Sequence, residues 1–351
     1  AGAASLAGLD TGAAREGETV AQAFADLRAF VFGGGEASPL TATLRRLGEL
    51  RTLATDLAER RVTDLSALAG SDAALALARE TDTAPPEARE MVSVMLESFE
   101  TAVGGGLRAQ LSEIWSSTVA RVCRQRLTSR YPFARGADEA PLGDFADILG
   151  PNGLIDTFFK TRLASMVETT GPEWRWTGLG LSLGLPPERL EFFQQAAELR
   201  DAFFPDGGTR PRVSVDAFLV AMTPGVRSGS LDIGGALAEI EAGERGGTGL
   251  SWPGPSAANG AEAVLMIDTG ATDISGAPLP PTPARLGEPG AWGLFKLIDR
   301  SEFDVVGAGE RVRVGFSSGG RRMVLELGLD SATNPLALRS EIASFRCPET
   351  L

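Results

Sequence analysis

The side chains that most often perform catalysis are scarce in this chain of 351 residues. The sequence has no histidine, which excludes Ser-His-Asp and Cys-His nucleophiles, HExxH zinc hydrolysis and histidine proton shuttles. Its two cysteines, Cys123 and Cys347, lie far apart and form no CxxC motif, so they predict no zinc site. Neither lysine, Lys160 or Lys296, follows a glycine as a phosphate-binding loop requires, which excludes a P-loop nucleotide site.

Carboxylate chemistry is the catalysis that this composition leaves open. Asp299, Glu302 and Asp304 lie close together in the sequence, and glycoside hydrolysis needs two carboxyl groups about 5 to 9.5 Å apart across a cleft. The 46 acidic residues are nevertheless spread along the whole chain, which is typical of a solvated surface. We therefore predict no catalytic residue and keep a carboxylate-based hydrolase as an alternative.

The charge of the chain limits its partners. With 33 basic and 46 acidic residues the net charge is −13, and nucleic-acid binding depends mainly on Lys and Arg. We expect no nucleic acid, nucleotide, metal or other cofactor. The apolar runs are far shorter than the ~20 residues that a bilayer requires, and no signal-peptide pattern opens the sequence. These features indicate a soluble protein or the soluble part of a longer one.

The hydrophobic period changes along the chain. Up to about residue 205 it is near 3.6, with the best-formed helix after Gly106; glycines at 104–106 predict a break before that helix. From residue 206 onward alternating segments such as 213–219, 312–316 and 323–329 predict strands. The sequence therefore predicts an α+β multidomain chain, in which an all-α helical part precedes an antiparallel β-sandwich.

The domains expected from these patterns are a helical region over 1–106, a helical domain over 107–205 and a β-sandwich domain over 206–351. The last includes one short helix near 291–299. Further strands are predicted at 226–233 and 262–268. A central strand cannot continue through the Trp-Pro-Gly-Pro segment that begins at Trp252, because proline lacks the ladder donor.

A series of short segments from about Arg108 to Leu351 resembles, in one collinear order, the periplasmic part of the IcmF/TssM family of type VI secretion proteins. The segments that carry this resemblance are Glu113–Trp115, Cys123–Gln125, Arg130–Phe133, Leu142–Phe145, Gly150–Leu154, Phe158–Phe159, Trp174–Trp176, Arg200–Phe204, Leu231–Ile233, Trp252–Pro255, Gly290–Phe295, Asn334–Pro335 and Phe345–Pro348.

The resemblance implies a structural subunit without catalysis. Members of the family are long inner-membrane proteins, and only their periplasmic part is similar to this chain. The resemblance implies that the β-domain docks the outer-membrane lipoprotein TssJ. It further implies that the protein assembles with the inner-membrane protein TssL and with copies of itself. A periplasmic glycan-binding or cell-wall-binding module remains the alternative, with Trp252 and Trp292 as its chief aromatic candidates. Their apolar and proline neighbours nevertheless predict that both tryptophans are buried in the core.

A periplasmic location would give the cysteines a role. Oxidation is available there, so Cys123 and Cys347 can form one disulfide, although two separate buried thiols are the alternative. For partner binding the sequence suggests an exposed turn of the β-domain, although a solvated turn is the more common role of such residues. The residues of this turn are Ser318, Gly319, Gly320, Arg321 and Arg322.

Overall fold

A computed structural model describes residues 24–25, 27–33, 38–58, 84–177, 184–241, 247–328 and 334–351. The chain divides into two compact units. The first comprises Ala1–Glu113, Arg162–Glu168 and Arg175–Leu185. The second comprises Ile114–Thr161, Thr169–Trp174 and Pro186–Leu351. The sandwich therefore lies in the second unit, together with most of the helical residues from Ile114 onward.

The first unit is helical in its described part. Helix α1 (Pro39–Ala58) begins after Ser38, whose hydroxyl accepts a hydrogen bond from the backbone N–H of Thr41 and so caps the helix. The small core of this unit contains Phe30, Leu50 and Ala84. A pair of two-residue strands, β1 (Val167–Glu168) and β2 (Arg175–Trp176), lies in the same unit. Part of the helical region predicted over 1–106 lies outside the described residues.

Helix α2 (Pro86–Trp115) contains the glycines at 104–106 without interruption, so the predicted break is wrong. A glycine inside a helix costs only about 1 kcal/mol relative to alanine, which the helix-forming residues on both sides tolerate. The helical path then continues through π-helical segments at Ser116–Ala120 and Arg124–Thr128, joined by Arg121–Cys123. The domain boundaries predicted near residues 106 and 205 stay predictions.

Three more helices belong mainly to the second unit: α3 (Leu142–Leu149), α4 (Leu154–Phe158, extended by helical turns to Met166) and α5 (Pro187–Phe203). Proline at the first position of α5 suits a helix start, because its missing N–H has no intrahelical acceptor there. Each helix buries aromatic side chains, as the helical spacing predicts, and these rings form a core.

The sandwich contains two antiparallel sheets among the described residues. The first has the order β6-β3-β11-β10-β9, and the second has the order β5-β4-β7-β8. Its elements are β3 (Val213–Met222), β4 (Val226–Ile233), β5 (Ala236–Glu241), β6 (Thr248–Trp252), β7 (Ala261–Ile267), β8 (Thr282–Glu288), α6 (Gly293–Asp299), β9 (Glu302–Val306), β10 (Arg311–Ser318), β11 (Arg321–Gly328) and α7 (Arg339–Ser344).

The two sheets pack through the alternating residues that the sequence identifies. Val312, Val314 and Phe316 of β10 are fully buried. Gly229 of β4 lies opposite the sulfur of Met323, and a Cβ atom at this glycine would collide with that sulfur. A larger residue at position 229 would therefore require the Met323 side chain to move. The fold class predicted from the sequence, helices followed by an antiparallel sandwich, is confirmed.

Candidate docking surfaces

The described residues contain neither a metal-binding group nor a membrane-spanning helix. No cluster of three or more His, Cys, Asp or Glu side chains in this part of the chain has a geometry that could hold a metal ion. Among the same residues, no helix combines the length and the apolar character needed to cross a bilayer.

The three carboxylates considered for hydrolysis are engaged in different ways. Asp299 accepts a hydrogen bond from the Tyr131 hydroxyl at 2.8 Å and pairs with Arg339. Glu302 pairs with Arg322 across the sheet. Asp304 lies exposed on β9. Because two of them form ion pairs in the fold, their contacts are those of structural carboxylates.

The two tryptophans considered as ligand-stacking residues are core residues. Trp252 is 1% exposed and Trp292 is 0% exposed. Their rings contact each other at a centroid distance of 4.8 Å, and each indole N–H donates to a backbone carbonyl, of Ala291 and Ala140 respectively. Neither ring can stack on a glycan from the solvent, so the glycan-binding interpretation loses its chief candidates.

Three connections meet at one end of the sandwich, which we call the loop end: residues 223–225, 268–281 and 318–321. The backbone N–H of Thr223 donates to the carbonyl of Arg322 at 2.9 Å. The N–H of Asp268 donates to the carbonyl of Gly225 at 2.7 Å. These hydrogen bonds join connections that come from both sheets, so the loop end presents a single surface.

The turn that the sequence suggests for partner binding lies at this loop end. Gly319 and Gly320 adopt φ angles of 57° and 74°, which residues with a side chain rarely adopt, and they form the tip of the β10–β11 hairpin. The Arg321 guanidinium donates to the carbonyl of Pro224, and Arg322 pairs with Glu302. Both arginines thus hold the hairpin in place, and Ser318 and the two glycines are the residues that remain available to a partner.

The long β7–β8 connection is the feature of the loop end that the sequence interpretation missed. Its residues 269–280 are all exposed, and Ile274 at its tip is fully exposed. Leu279, which is 45% exposed, adds a second apolar side chain. The sequence does contain a signal for this loop, the single isoleucine in the segment Thr-Asp-Ile-Ser-Gly. Polar residues and glycine normally occupy the tip of a turn, so an isoleucine there is unusual.

This connection is ordered by its own hydrogen bonds. The Asp273 carboxylate accepts hydrogen bonds from the backbone N–H groups of Ser275 and Ala277 and from the Ser275 hydroxyl. These same bonds lower the pKa of Asp273 below its ordinary value, because they stabilise the charged form. The N–H of Leu279 also donates to the carbonyl of Ala271. Ile274 is therefore presented on a preformed turn, which costs little entropy on binding.

A buried ion pair stabilises the helical side of the second unit. Asp156, whose side chain is 4% exposed, lies 2.6 Å from Arg200 and 2.7 Å from Lys160. Burial alone would raise the pKa of Asp156, but hydrogen bonds from Lys160 and from the backbone N–H of Asn152, with the charge of Arg200, outweigh it and lower this pKa below 3.8. The carboxylate is satisfied within the fold, so this cluster is structural.

The C-terminal segment packs against the helices of the second unit. The Trp115 indole N–H donates to the carbonyl of Pro348 at 2.8 Å, and Arg124 lies 2.5 Å from Glu349. The structure pairs Cys123 with Cys347, with their Cα atoms 6.3 Å apart, within the range that disulfides adopt. The disulfide in the protein itself stays a prediction, for which the geometry is suitable.

Two family models match this chain. The type VI secretion protein IcmF helical domain matches residues 108–209, and the IcmF C2-like domain matches residues 215–331. A curated relative, the type VI secretion system component TssM1 of Pseudomonas aeruginosa, is 30% identical over 363 aligned positions. That alignment covers 99% of this chain and 32% of the relative, so the chain spans about a third of its length.

Solved structures show the same fold. The C-terminal domain of the type VI secretion protein TssM from EAEC is 21% identical, with a TM-score of 0.57, and the match covers 70% of this chain and 98% of that domain. A chain of a type VI secretion system membrane core complex is 18% identical, with a TM-score of 0.63. That match covers 87% of this chain and 60% of the other.

Proposed function

Because this chain belongs to the IcmF/TssM family and corresponds to its C-terminal region, we propose that it is a structural subunit of a type VI secretion membrane complex. The family models cover the helices and the sandwich, and the P. aeruginosa relative aligns over almost the whole chain. The absence of histidine and the engagement of Asp299 and Glu302 in ion pairs favour a role in assembly over catalysis.

The proposed location is the periplasm, where the chain would be part of a protein that is anchored in the inner membrane by other segments. The Cα atoms of Cys123 and Cys347 lie 6.3 Å apart, so the two residues could form the disulfide that an oxidising compartment permits. The subunit would assemble there with TssL and with further copies of itself. Matches to chains of solved type VI membrane complexes support such an assembly at the level of the fold.

The central part of the proposal is that the β-sandwich docks the outer-membrane lipoprotein TssJ through its loop end. The observation that carries it is Ile274, a fully exposed apolar side chain on a turn ordered by Asp273. Apolar anchors on rigid loops are typical hot spots of protein interfaces, because they bury area without ordering a flexible chain. The β10–β11 hairpin, with Ser318, Gly319 and Gly320, would contribute the rim of the same interface, held by Arg321 and Arg322.

Calorimetry with the soluble domain of TssJ from the same organism tests this docking. We expect the wild-type chain to bind and Ile274→Asn to weaken binding about tenfold or more, as the loss of a hot-spot residue does. The matched control is Leu237→Asn, which replaces another exposed apolar residue, 54% exposed, near the opposite end of the sandwich. Absence of binding by the wild-type chain would contradict lipoprotein docking.

A second variant separates the two loops. Ser318→Trp places a bulky ring at the hairpin without removing an interaction that holds Arg321 or Arg322. If both Ile274→Asn and Ser318→Trp weaken TssJ binding while Leu237→Asn does not, the loop end is the docking surface. If TssJ binds all three variants as it binds the wild type, the docking surface lies elsewhere on the chain.

A further inference from the structure

A groove distinct from the loop end opens beside the edge strand β9. Its cavity has a volume of about 280 Å³ and lies between β9, helices α6 and α7 and the segment that follows Tyr131. Phe303 and Val305 of β9 form one wall, and Val305 is 43% exposed. The volume is at the lower limit of about 300 Å³ for small-molecule sites, which favours the side chains of a peptide over a whole cofactor.

The charge of this groove is the opposite of that of the chain. Arg135 and Arg339 line it, and Asp299 is the only acidic residue among those that do. Arg135 is exposed and forms no ion pair with any residue that the structure describes. Arg339 lies over the Phe303 ring at 4.4 Å and pairs with Asp299, while its enclosed Nε–H has no acceptor among the described residues.

Tyr131 and Ser340 are the other polar residues of the groove, and both already form hydrogen bonds within the fold. The Tyr131 hydroxyl donates to Asp299. Burial, followed by the neighbouring charge of Asp299, raises the pKa of Tyr131, so the phenol stays protonated. Asp299 thus receives bonds from both Tyr131 and Arg339. The positive charge that remains available to a ligand is that of Arg135, supported by Arg339.

The wall formed by β9 also has backbone groups to offer. In the order β6-β3-β11-β10-β9 this strand is at the edge of its sheet, and its five residues pair with β10 alone within the described chain. An edge strand presents a row of unpaired N–H and C=O groups to which an extended chain can add. An apolar pocket, an unpaired arginine and an open strand edge therefore lie side by side.

We propose that this groove binds an extended segment of another protein, which adds as a strand to β9, places an apolar side chain against Val305 and Phe303, and pairs a carboxylate with Arg135. The charge of the groove favours an acidic ligand, and the open edge favours a peptide in extended conformation over a helix. This site is separate from the proposed docking of TssJ and does not depend on it.

A selection with a phage-displayed library of random 12-residue peptides on the intact chain tests the proposal. We expect enrichment of peptides that alternate apolar residues with Asp or Glu. Synthetic copies should bind Arg135→Glu at least about tenfold more weakly than the wild type, the effect of losing one charge-assisted hydrogen bond. Val305→Asp should weaken them similarly. The matched control is Arg121→Glu, which reverses an exposed charge that does not line the groove.

Strand addition has its own signature. N-methylation of the peptide at alternate positions should abolish binding, and methylation at the positions between them should not, because only every second N–H faces β9. The proposal would be overturned if the selection enriched no peptide, or if the enriched peptides bound Arg135→Glu as well as they bind the wild type. It would also be overturned if methylation abolished binding at all positions alike, or if it abolished binding at no position. If sedimentation shows that the chain self-associates and that Arg135→Glu abolishes this, the groove holds a second copy and the proposal is wrong.

Discussion

The aromatic interior of the second unit and the loop end of its sandwich differ in what they expose and in how easily the sequence identifies them. In the interior, ring contacts connect Trp115 through Phe192, Phe345, Phe133 and Phe145 to Trp292. At the loop end, Ile274 is fully exposed on a connection whose residues 269–280 include no aromatic residue. The first region holds the unit together, and the second offers a surface to a partner.

This difference explains why the residues that identify the family are not the residues that would bind a partner. Trp115, Phe145, Trp252 and Trp292 belong to the segments by which the family is recognised, and all four are buried. Packing constrains such residues, since a core tolerates little change of volume. An exposed loop is constrained only by its partner, so the residues that select a partner are poorly recognised from the sequence of one member.

Removing a ring from the interior should have the largest effect. Trp292→Ala deletes a side chain with 0% exposure that contacts Phe145, Phe203, Trp252 and Phe295. We expect the free energy of unfolding to fall by about 3 to 5 kcal/mol, as for other buried tryptophans, measured by urea denaturation. A loss below about 1 kcal/mol would show that this ring is not part of the core.

Removing the bridge should have the next largest effect. The bridge would close a loop with a sequence separation of 224, and loss of native disulfides of this kind costs about 2 to 5 kcal/mol. We expect Cys123→Ala combined with Cys347→Ala to lower the free energy of unfolding by that amount relative to the oxidised protein, measured by urea denaturation. Titration of the unfolded, unreduced wild type should find no reactive thiol. Two reactive thiols would contradict the bridge.

Breaking the buried ion pair should have a smaller effect that depends on pH. Asp156→Asn leaves Arg200 with Asp201 as its acidic partner, and both cations that face Asp156 are partly exposed to water. We therefore expect a loss of about 2 kcal/mol at pH 7. Because the folded pKa of Asp156 is lowered, its contribution is complete above the unfolded pKa and is lost as the pH falls through the folded value. The difference between variant and wild type should therefore shrink below about pH 4.

The control for this experiment is Asp147→Asn on α3, which replaces an exposed carboxylate of the same helical region. It should leave the free energy of unfolding within about 0.5 kcal/mol at every pH. A difference between wild type and Asp156→Asn that stays constant down to pH 2 would show that the carboxylate is not held in its charged form by Lys160 and Arg200.

Whether the sequence revealed a strand of the sandwich depended on the position of that strand in its sheet. The five strands found by alternation, β3, β4, β7, β10 and β11, are all interior to their sheets, and the four missed ones, β5, β6, β8 and β9, are all edges. The interior strands β3 and β10 turn one face to the core of the sandwich, so buried and more exposed side chains alternate along much of their length. Edge strands such as Thr282–Glu288, with Pro283 and mostly exposed side chains, lack that signal.

The candidate binding surfaces show the same difference between interior and edge strands. The sequence predicted the β10–β11 hairpin, because its glycines stand between two interior strands. It did not find the groove, since that site combines an edge strand with Arg135 and Arg339, which are more than 150 positions apart. Such a combination depends on tertiary packing, which the spacing of residues along one chain does not show. Isolated apolar residues in polar loops, such as Ile274, are the exception that sequence inspection could have noticed.

The smallest effect on stability is expected at the loop end, and it tests the comparison most directly. Ile274 loses no buried contact on substitution, so Ile274→Asn should change the free energy of unfolding by no more than about 0.5 kcal/mol. The same variant is expected to weaken TssJ binding, whereas a variant of the interior should affect binding only as far as it unfolds the chain. If Ile274→Asn destabilises the fold by more than about 1 kcal/mol, the side chain is packed in solution, and the β7–β8 connection belongs with the interior rather than with the docking surface.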